Sequence, residues 1–312
     1  MKQTDIAIIG GGPGGLAAAQ YGARAGRDVL IIEKLAAGGQ TMLIDRIENY
    51  PGFDEAITGF ELADKMQRQA ENFGAKLLYD ELVSIKKDDK YFEVNLKSET
   101  VQAKTVIIAT GAKHRVLDID GEATYSGKGV SYCGTCDGPF FRNKTIYVIG
   151  GGDTALTDAL YLSKLSDDVT LVHRRDRFRA QDNLVRQISA SKIKTMMNFK
   201  PVSIKGDGTK VTAIELESTV DGQHVTKPTS AVFIFAGMLP QTEMLDKELL
   251  DKTGYVMTND RMETKMPGLF AIGDVRNTPF RQVVTAAADG AVAAHIASEY
   301  IDEIEGNAYA SH

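Results

Sequence analysis

The feature that most restricts the fold of this chain is a strand, a glycine-rich loop and a helix that follow one another twice. Residues 5–9, Asp-Ile-Ala-Ile-Ile, have the continuous apolar pattern of a buried parallel strand. A Gly-x-Gly-x-x-Gly loop follows at 10–15, and an alanine-rich helix is predicted over 16–25. The same order returns over 145–163, with Gly-x-Gly-x-x-Ala in the loop and a helix predicted over 156–163. Each copy predicts a dinucleotide-binding βαβ unit, because the glycines let the backbone approach a pyrophosphate at the helix N-terminus.

The end of the second strand in each copy distinguishes two kinds of dinucleotide. In the first copy, the strand at 29–32 ends at Glu33, 23 positions after Gly10, where a carboxylate can accept hydrogen bonds from a free ribose. In the second copy, the corresponding strand ends in a basic stretch: His173, Arg174 and Arg175, with Arg177 and Arg179 close behind. An acid there would repel a 2′-phosphate, whereas clustered arginines bind it through charge-assisted hydrogen bonds. We therefore expect an unphosphorylated adenosine in the first unit and a 2′-phosphorylated one in the second.

The order of these signals predicts that the second unit is inserted into the first. Before the second copy, a buried strand ends in Ala109-Thr110-Gly111. After it, the chain returns to a turn, a strand and Gly273-Asp274, and then to an alanine-rich helix predicted over 282–300. Taken alone, the Ala-Thr-Gly and Gly-Asp segments can each approach a ligand or simply form a tight turn. The predicted fold class is α/β, with two Rossmann-like dinucleotide-binding domains.

Cys133 and Cys136 are the only cysteines of the chain, and their spacing allows a disulfide or an open dithiol. A structural zinc site needs about four ligands, and the five histidines show no paired metal spacing, so we expect no metal. A structural disulfide that closes so short a loop would stabilise the fold little. Redox use is therefore the favoured interpretation, and Asp137 can pass protons as the pair opens and closes.

Charge and hydropathy exclude several classes of partner. The formal net charge is -6 and no run of Lys or Arg exceeds two residues, which argues against nucleic acid and anionic membranes. No apolar stretch approaches the roughly 18 residues of a transmembrane helix. Residues 1–5 lead directly into a strand and leave no room for a signal peptide. We therefore expect a cytoplasmic protein, in which a close cysteine pair is more often redox-active than structural.

The motifs together resemble the bacterial-type, low-molecular-weight thioredoxin reductase family over essentially the whole chain. In chain order, the matching motifs are Gly-x-Gly-x-x-Gly at 10–15, Gly-Gly-Gln at 38–40, Glu-Asn-Tyr-Pro-Gly at 48–52, Ala-Thr-Gly at 109–111, Cys-Gly-Thr-Cys-Asp-Gly at 133–138, Gly-Gly-Gly-Asp-Thr-Ala at 150–155, His-Arg-Arg-Asp-Arg-Phe-Arg-Ala at 173–180, Gly-Asp at 273–274 and Arg-Gln at 281–282. The resemblance implies a homodimer with one FAD per chain and electrons passing from NADPH to FAD, to the cysteine pair and to thioredoxin. It also implies a large rotation of the NADPH domain during turnover.

The resemblance also assigns domains and residues. It implies an FAD-binding domain at 1–114 and 244–312, and an NADPH-binding domain with the redox pair at 115–243. Cys136 matches the flavin-facing thiol, and Cys133 matches the thiol that attacks the thioredoxin disulfide. Asp137 matches the acid that donates and accepts protons during the exchange. The implied FAD contacts are Gly10, Gly12, Pro13, Gly14, Gly15, Glu33, Lys34, Gly39, Gln40, Asn49, Ala109, Thr110, Gly111, Gly273, Asp274, Arg281, Gln282 and Val283. The implied NADPH contacts are Gly150, Gly152, Asp153, Thr154, Ala155, His173, Arg174, Arg175, Arg179 and Gly237. One departure lies in the redox motif, since Gly134 replaces the alanine of many relatives.

The motifs leave four other functions open. A flavin-dependent dithiol oxidase would share the fold and a cysteine pair, but such proteins resemble this family without the arginine clamp. An NADPH-dependent reductase of another disulfide carrier would carry the same motifs, because the partner surface has no readable signature. A ferredoxin-fed reductase would not need the clamp. A non-catalytic flavin-binding sensor would not need Cys133, Cys136 and Asp137.

Overall fold

A computed structural model describes residues 2–44 and 47–307, with Leu43 described by its backbone alone. Met1, the first residue of the predicted FAD-binding domain and of the segment in which we expect no signal peptide, lies outside the described residues. Residues 308–312, the end of the same predicted domain, also lie outside them. Within 2–44 and 47–307, no helix is both long and apolar enough to cross a membrane.

The chain forms two compact units, and the second is inserted into the first. One unit comprises Met1–Lys113 and Leu239–His312, and the other comprises His114–Met238. The α/β class predicted from the sequence is confirmed. The predicted assignment of FAD to 1–114 and 244–312, and of NADPH to 115–243, stays a prediction.

The elements follow one another in the order expected of two βαβ repeats. The helices are Pro13–Arg24 (α1), Gly59–Asn72 (α2), Gly134–Asp137 (α3), Asp153–Leu162 (α4), Asp182–Ala190 (α5) and Val283–Glu305 (α6). The strands are Lys2–Ile9 (β1), Val29–Glu33 (β2), Lys76–Tyr79 (β3), Leu82–Asp88 (β4), Tyr91–Leu96 (β5), Thr100–Ile108 (β6), Ala112–His114 (β7), Val130–Ser131 (β8), Ile146–Ile149 (β9), Val169–His173 (β10), Lys194–Met197 (β11), Phe199–Gly206 (β12), Val211–Ser218 (β13), His224–Pro228 (β14), Ala231–Ile234 (β15), Met238–Pro240 (β16) and Leu269–Ala271 (β17). Short 3-10 helices lie at Gly39–Leu43, Gly138–Phe141, Lys247–Leu249 and Gly273–Val275.

The first unit is built on a sheet with strand order β3-β2-β1-β6-β5-β4, and β17 pairs with the end of β6. β1 is parallel to β2, with Ile8 opposite Ile31, and parallel to β6, with Ile8 opposite Ile107. The carboxyl ends of β1, β2, β6 and β17 therefore lie at one edge of the sheet. This is the edge at which ligands bind in doubly wound α/β folds.

Both faces of the central strands β1, β2 and β6 are buried, which explains their continuous apolar runs. Successive side chains of β1 point to opposite faces. Ile6 and Ile8 pack with α1, α2 and α6 on one face, and Ala7 and Ile9 pack with β5 residues such as Phe92 on the other. The close approach of α1 and α6 requires small residues, since a Cβ on Gly290 would lie 2.3 Å from the Gly14 carbonyl oxygen.

The second unit has a parallel sheet with strand order β11-β10-β9-β15-β8. One face carries α4 and α5, whose apolar side chains pack with Val148 and Leu171. The other face is covered by the antiparallel sheet β12-β13-β14, whose Ile214 and Leu216 pack with Ile149. The second glycine loop follows the carboxyl end of β9, and His173 is the last residue of the neighbouring strand β10.

Several boundaries differ from the sequence prediction. α1 begins at Pro13 and not at residue 16, because proline fits the first helical position, where its missing N–H would have no partner. α4 begins at Asp153 and not at residue 156, and α6 extends to Glu305 and not to 300. The glycines and the proline of 38–52 are typical of a loop, but the structure has a 3-10 helix at Gly39–Leu43.

Candidate active site

The two cysteines lie at the start of the short helix α3, which follows directly on β8. They form a disulfide with a Cα–Cα distance of 5.3 Å, so the predicted pair is present. Cys133 is the N-cap of α3, and its Sγ accepts the N–H of Cys136 at 3.2 Å. A sulfur held by an N-terminal helical amide is better able to carry negative charge once reduced. The turn can therefore support thiol–disulfide exchange.

Ser131 is a functional candidate that sequence reasoning missed. Its Oγ donates to Asp137 Oδ2 at 2.6 Å and accepts the N–H of Cys133 at 3.1 Å. The side chain is buried, so it fixes the carboxylate relative to the redox turn. No pattern marks Ser131 in the sequence, since a serine two residues before a cysteine is ordinary.

Tyr132, immediately before Cys133, is held by the buried acid Glu122. Its hydroxyl donates to Glu122 Oε1 at 2.8 Å, and the ring stacks on His114 with centroids 5.0 Å apart. Glu122 also accepts the backbone N–H groups of Leu117 and Asp118. Burial, together with the Glu122 carboxylate, raises the pKa of Tyr132, which therefore remains a neutral donor at physiological pH.

Asp158 of α4 lies against the same turn, and its Oδ1 accepts the N–H of Gly134 at 3.1 Å. Burial raises the pKa of this carboxyl to about 6, although the Gly134 N–H lowers it. Sequence reasoning missed this residue too, since a lone aspartate on a predicted helix carries no signal.

Asp158→Asn is expected to stabilise the protein at pH 7.5 by up to about 3 kcal/mol. The folded-state pKa of about 6 lies above the ordinary aspartate pKa of 3.8, so the wild type loses stability as the pH rises from about 4 to 6. Asparagine does not ionise, so the advantage of the variant should shrink at pH 4.5. Urea unfolding at both pH values measures this difference, and an equal stability gain at both would contradict the pKa.

The first glycine loop, at 10–15, joins β1 to α1 at the binding edge of the first unit. Gly10 has φ +109°, and a Cβ there would lie 2.4 Å from the carbonyl oxygen of Ala109. Among residues 2–44 and 47–307, a Cβ on Gly12 would meet nothing within 4 Å, and no side chain caps α1. The first N–H groups of α1 thus have no side-chain cap among the described residues, and the loop at Gly12 leaves room for a pyrophosphate.

Glu33 lies beside this loop, as the spacing predicted. Its Oε2 accepts the N–H of Gly11 at 2.7 Å and its Oε1 accepts the N–H of Leu35 at 2.9 Å. Each carboxylate oxygen keeps a lone pair for a ribose hydroxyl. The neighbouring Lys34 points elsewhere, because its ammonium pairs with Glu81 at 2.8 Å on the surface.

The remaining predicted FAD residues line the same edge in two groups. Gly39 approaches Gly12, since a Cβ on Gly39 would lie 3.4 Å from the Gly12 Cα. Gln40 donates to the carbonyl oxygen of Ala112, next to the predicted Ala109-Thr110-Gly111 segment. Thr110 is held by Gln241, a residue that sequence reasoning missed, whose carbonyl oxygen accepts the Thr110 hydroxyl at 2.7 Å.

The second group surrounds the N-terminus of α6. Asn49 Nδ2 donates at 3.0 Å to Oε1 of Gln282, the N-cap residue that precedes Val283. Asp274 follows β17, and burial raises the pKa of its carboxyl to about 6 even though Arg281 lowers it. Arg281 lies over the Tyr255 ring at 4.2 Å.

Asp289 of α6 joins Gly273 and Arg276 beside the N-terminus of α6, and sequence reasoning missed it as well. Its Oδ2 accepts the N–H of Gly273 at 3.0 Å and pairs with Arg276 Nη1 at 3.2 Å, with side chains 14% and 11% exposed. Asp289→Ala is expected to lower the free energy of unfolding by about 3 kcal/mol, because the Arg276 cation would stay buried without its partner.

Thermal or urea unfolding measures the Asp289 effect. Glu299→Ala is the matched control on α6, since Glu299 pairs with Arg261 through side chains that are 46% and 55% exposed. Such a pair contributes about 0.5 kcal/mol or less. Equal losses in the two variants would show that the Asp289 pair adds nothing beyond a surface ion pair.

The second glycine loop, at 150–155, joins β9 to α4 within the other unit. Gly150 has φ +154°, and a Cβ there would lie 2.8 Å from the Phe235 carbonyl oxygen. A Cβ on Gly152, the N-cap of α4, would meet nothing within 4 Å. Asp153 accepts both the backbone and the side-chain N–H of Gln181, at 2.8 and 3.0 Å. These hydrogen bonds hold Gln181, which follows the arginines in the chain, close to the loop.

His173 and the arginines occupy the end of β10. His173 is buried, its Nε2 has no partner among the described residues, and burial, together with the arginines, lowers its pKa. The backbone N–H of Arg179 donates to the Gly151 carbonyl oxygen at 2.7 Å, which brings the basic stretch to the loop. Arg174, Arg175 and Arg179 are exposed, and their guanidinium groups form no ion pair with any described carboxylate. Gly237, with φ +110°, accepts the N–H of Arg115 at 2.9 Å.

The chain resembles known disulfide reductases over almost its full length. A profile of the pyridine nucleotide-disulphide oxidoreductase family matches residues 4–290. The chain is 47% identical to a thioredoxin reductase of Treponema pallidum, over 96% of this chain and 98% of the relative. A crystal structure of thioredoxin reductase from Streptococcus pyogenes is 43% identical and superposes with a TM-score of 0.91, covering 96% of this chain and 99% of that one. The resemblance stated from the motifs is thus confirmed, and the chain belongs to the pyridine nucleotide-disulphide oxidoreductase family.

Proposed function

We infer that this protein is a thioredoxin-disulfide reductase that uses FAD and NADPH. The observation that carries this conclusion is the Cys133–Cys136 disulfide at the start of a helical turn, beside Asp137, in a chain with two dinucleotide loops. The relatives named above are thioredoxin reductases of nearly equal length. FAD, held at the first glycine loop and Glu33, would supply two-electron transfer between NADPH and the disulfide.

The residues at each loop fit the cofactor proposed for it. The edge with Gly12 and Glu33 offers helix amides without a side-chain cap and a carboxylate, and the described residues place no arginine cluster there, which suits FAD. The other edge offers the helix amides at Gly152 and the exposed guanidinium groups of Arg174, Arg175 and Arg179. These groups suit the 2′-phosphate of NADPH. The remaining predicted contacts belong to the same proposal, except that Lys34 is occupied by Glu81.

The cysteine pair exchanges electrons through sulfur–sulfur bonds. Two electrons and two protons convert the Cys133–Cys136 disulfide to two thiols. The Cys133 thiolate then attacks one sulfur of oxidised thioredoxin, so a mixed disulfide forms and the other thioredoxin sulfur leaves as a thiolate that takes a proton. The Cys136 thiolate attacks Cys133, which restores the protein disulfide and releases the second thioredoxin thiol.

Asp137 is proposed to move the protons of these steps. Each attack needs a thiolate, and each departing thiolate needs a proton. The protons released by Cys133 and Cys136 equal those taken up by thioredoxin, so a single nearby carboxyl can transfer them. Ser131 orients that carboxyl through its 2.6 Å hydrogen bond.

The assembly and location belong to the same proposal. We expect a homodimer, as the resemblance implies, and a location in the cytoplasm. Light scattering of the purified protein tests the first expectation and should give twice the mass of one chain.

The decisive experiment follows the absorbance of the bound flavin under anaerobic conditions. NADPH should bleach it rapidly, NADH much more slowly, and oxidised thioredoxin should restore it through the cysteine pair. No bleaching by either nucleotide would point to ferredoxin-fed reduction. Recovery with oxygen but not with thioredoxin would identify a dithiol oxidase, and recovery only with another disulfide protein would identify a different carrier.

A further inference from the structure

Asp158 joins the helix of the second glycine loop to the redox turn. α4 starts at Asp153, next to that loop, and Asp158 follows a little more than one helical turn later. Its Oδ1 accepts the N–H of Gly134, the first residue of α3. In the same turn, the Cys133 sulfur accepts the N–H of Cys136. The two acceptors thus share the amides at the N-terminus of the redox helix.

The packing at Gly134 shows how closely Asp158 is seated. A Cβ on Gly134 would lie 2.3 Å from Asp158 Oδ1, closer than real Cβ contacts allow. At the other end of the turn, a Cβ on Gly138 would lie 2.7 Å from Leu162 Cδ2, also on α4. The turn that holds both cysteines therefore packs against α4 at both of its ends, and glycine at 134 leaves room for the carboxylate.

We propose that Asp158 is a positioning residue for the Cys133–Cys136 pair, which holds the first turn of α3 against α4 through the Gly134 N–H. This inference rests on the proposed redox function of the pair. It also accounts for the glycine at 134, where a Cβ would collide with the carboxylate.

Losing this hydrogen bond should favour the dithiol over the disulfide, for two reasons that act in the same direction. A looser turn holds the two sulfurs together less often, so the disulfide becomes less stable relative to two thiols. The freed Gly134 N–H then lies at the N-terminus of the helix, where it can stabilise a Cys133 thiolate. Burial that raises the Asp158 pKa to about 6 is consistent with a carboxyl retained here for function rather than for stability.

The test is the equilibrium of the full-length, FAD-loaded protein with mixtures of reduced and oxidised dithiothreitol at pH 7. Alkylation and mass spectrometry report the dithiol fraction directly, because Cys133 and Cys136 are the only cysteines. Asp158→Ala should shift the equilibrium constant toward the dithiol by about fivefold. Asp158→Asn, whose amide oxygen can still accept the Gly134 N–H, should stay within about twofold of the wild type. Thr157→Ala, at an exposed position on the same helix, is the control and should change nothing.

The packing argument has a separate test in Gly134→Ala. The added methyl group collides with Asp158, so this variant should melt at a lower temperature than the wild type. Combining it with Asp158→Ala removes the collision, and the double variant should melt above Gly134→Ala alone. A double variant that melts lower still would show that Asp158 does not occupy this space.

The outcomes distinguish the inference from the function on which it rests. A wild-type equilibrium constant in Asp158→Ala would overturn the positioning role. An equal shift in Asp158→Asn and Asp158→Ala would also overturn it, because the hydrogen bond would then not be the means. A wild-type pair that dithiothreitol cannot reduce would instead refute the proposed redox function.

Discussion

Cys136→Ser is expected to reduce steady-state turnover of thioredoxin disulfide by at least about a thousandfold. The mixed disulfide between Cys133 and thioredoxin is resolved by a thiol within the same helical turn, and an external thiol cannot match that effective concentration. The disulfide geometry supports this reasoning, since the Cα atoms lie 5.3 Å apart and Cys133 is the N-cap of α3. NADPH-dependent thioredoxin reduction at steady state measures the loss.

The two cysteines serve as controls for each other. Cys136→Ser should trap a mixed disulfide with thioredoxin, visible as a mass adduct that a reductant removes. Cys133→Ser should give little adduct, because the proposed attacking sulfur is missing. Undiminished turnover in Cys136→Ser would remove the pair from the electron path.

Arg174→Ala combined with Arg175→Ala is expected to lower kcat/KM for NADPH by about 100-fold and to change kcat/KM for NADH little. A charge-assisted hydrogen bond contributes about 1.5–3 kcal/mol, and the phosphate would lose two such donors. NADH has no 2′-phosphate, so it gains nothing from either arginine. Both guanidinium groups are exposed at the end of β10, beside the second glycine loop, so their removal should leave the fold intact.

The ratio of kcat/KM for the two nucleotides is the measurement that isolates the clamp. Arg186→Ala is the matched control, since it removes an exposed arginine from α5 of the same unit. It should leave the ratio unchanged, which separates phosphate contact from a general loss of positive charge. A double variant that retained the wild-type ratio would show that Arg174 and Arg175 do not contact the 2′-phosphate.

Local sequence was sufficient for the parts of the site that the backbone itself forms. Gly10 and Gly150 were recognisable because both lie at positive φ between a buried strand and a helix. Glu33 and His173 were recognisable because a fixed spacing along a βαβ unit carries each to the end of the second strand. The cysteine pair was recognisable because its two members lie in one helical turn.

Residues that act across the fold left no such signal. Asp289 reaches Gly273 from α6, Gln241 reaches Thr110, and Asp158 reaches Gly134 from α4. Each lies far along the chain from its partner and has an ordinary local pattern. The starts of α1 and α4 were also placed three residues late, because the cap positions depend on backbone geometry that apolar periodicity does not report.

By itself, the sequence determined the α/β class, the insertion of one βαβ repeat into the other and the chemistry available at each loop. These follow from short-range rules, namely strand periodicity, glycine conformations and the spacing between a loop and the next strand end. The tertiary structure alone decided which buried acids support the loops and the cysteine turn. The physical reason is that a hydrogen bond between distant residues depends on how strands and helices pack, and packing is set by the whole core rather than by any one segment.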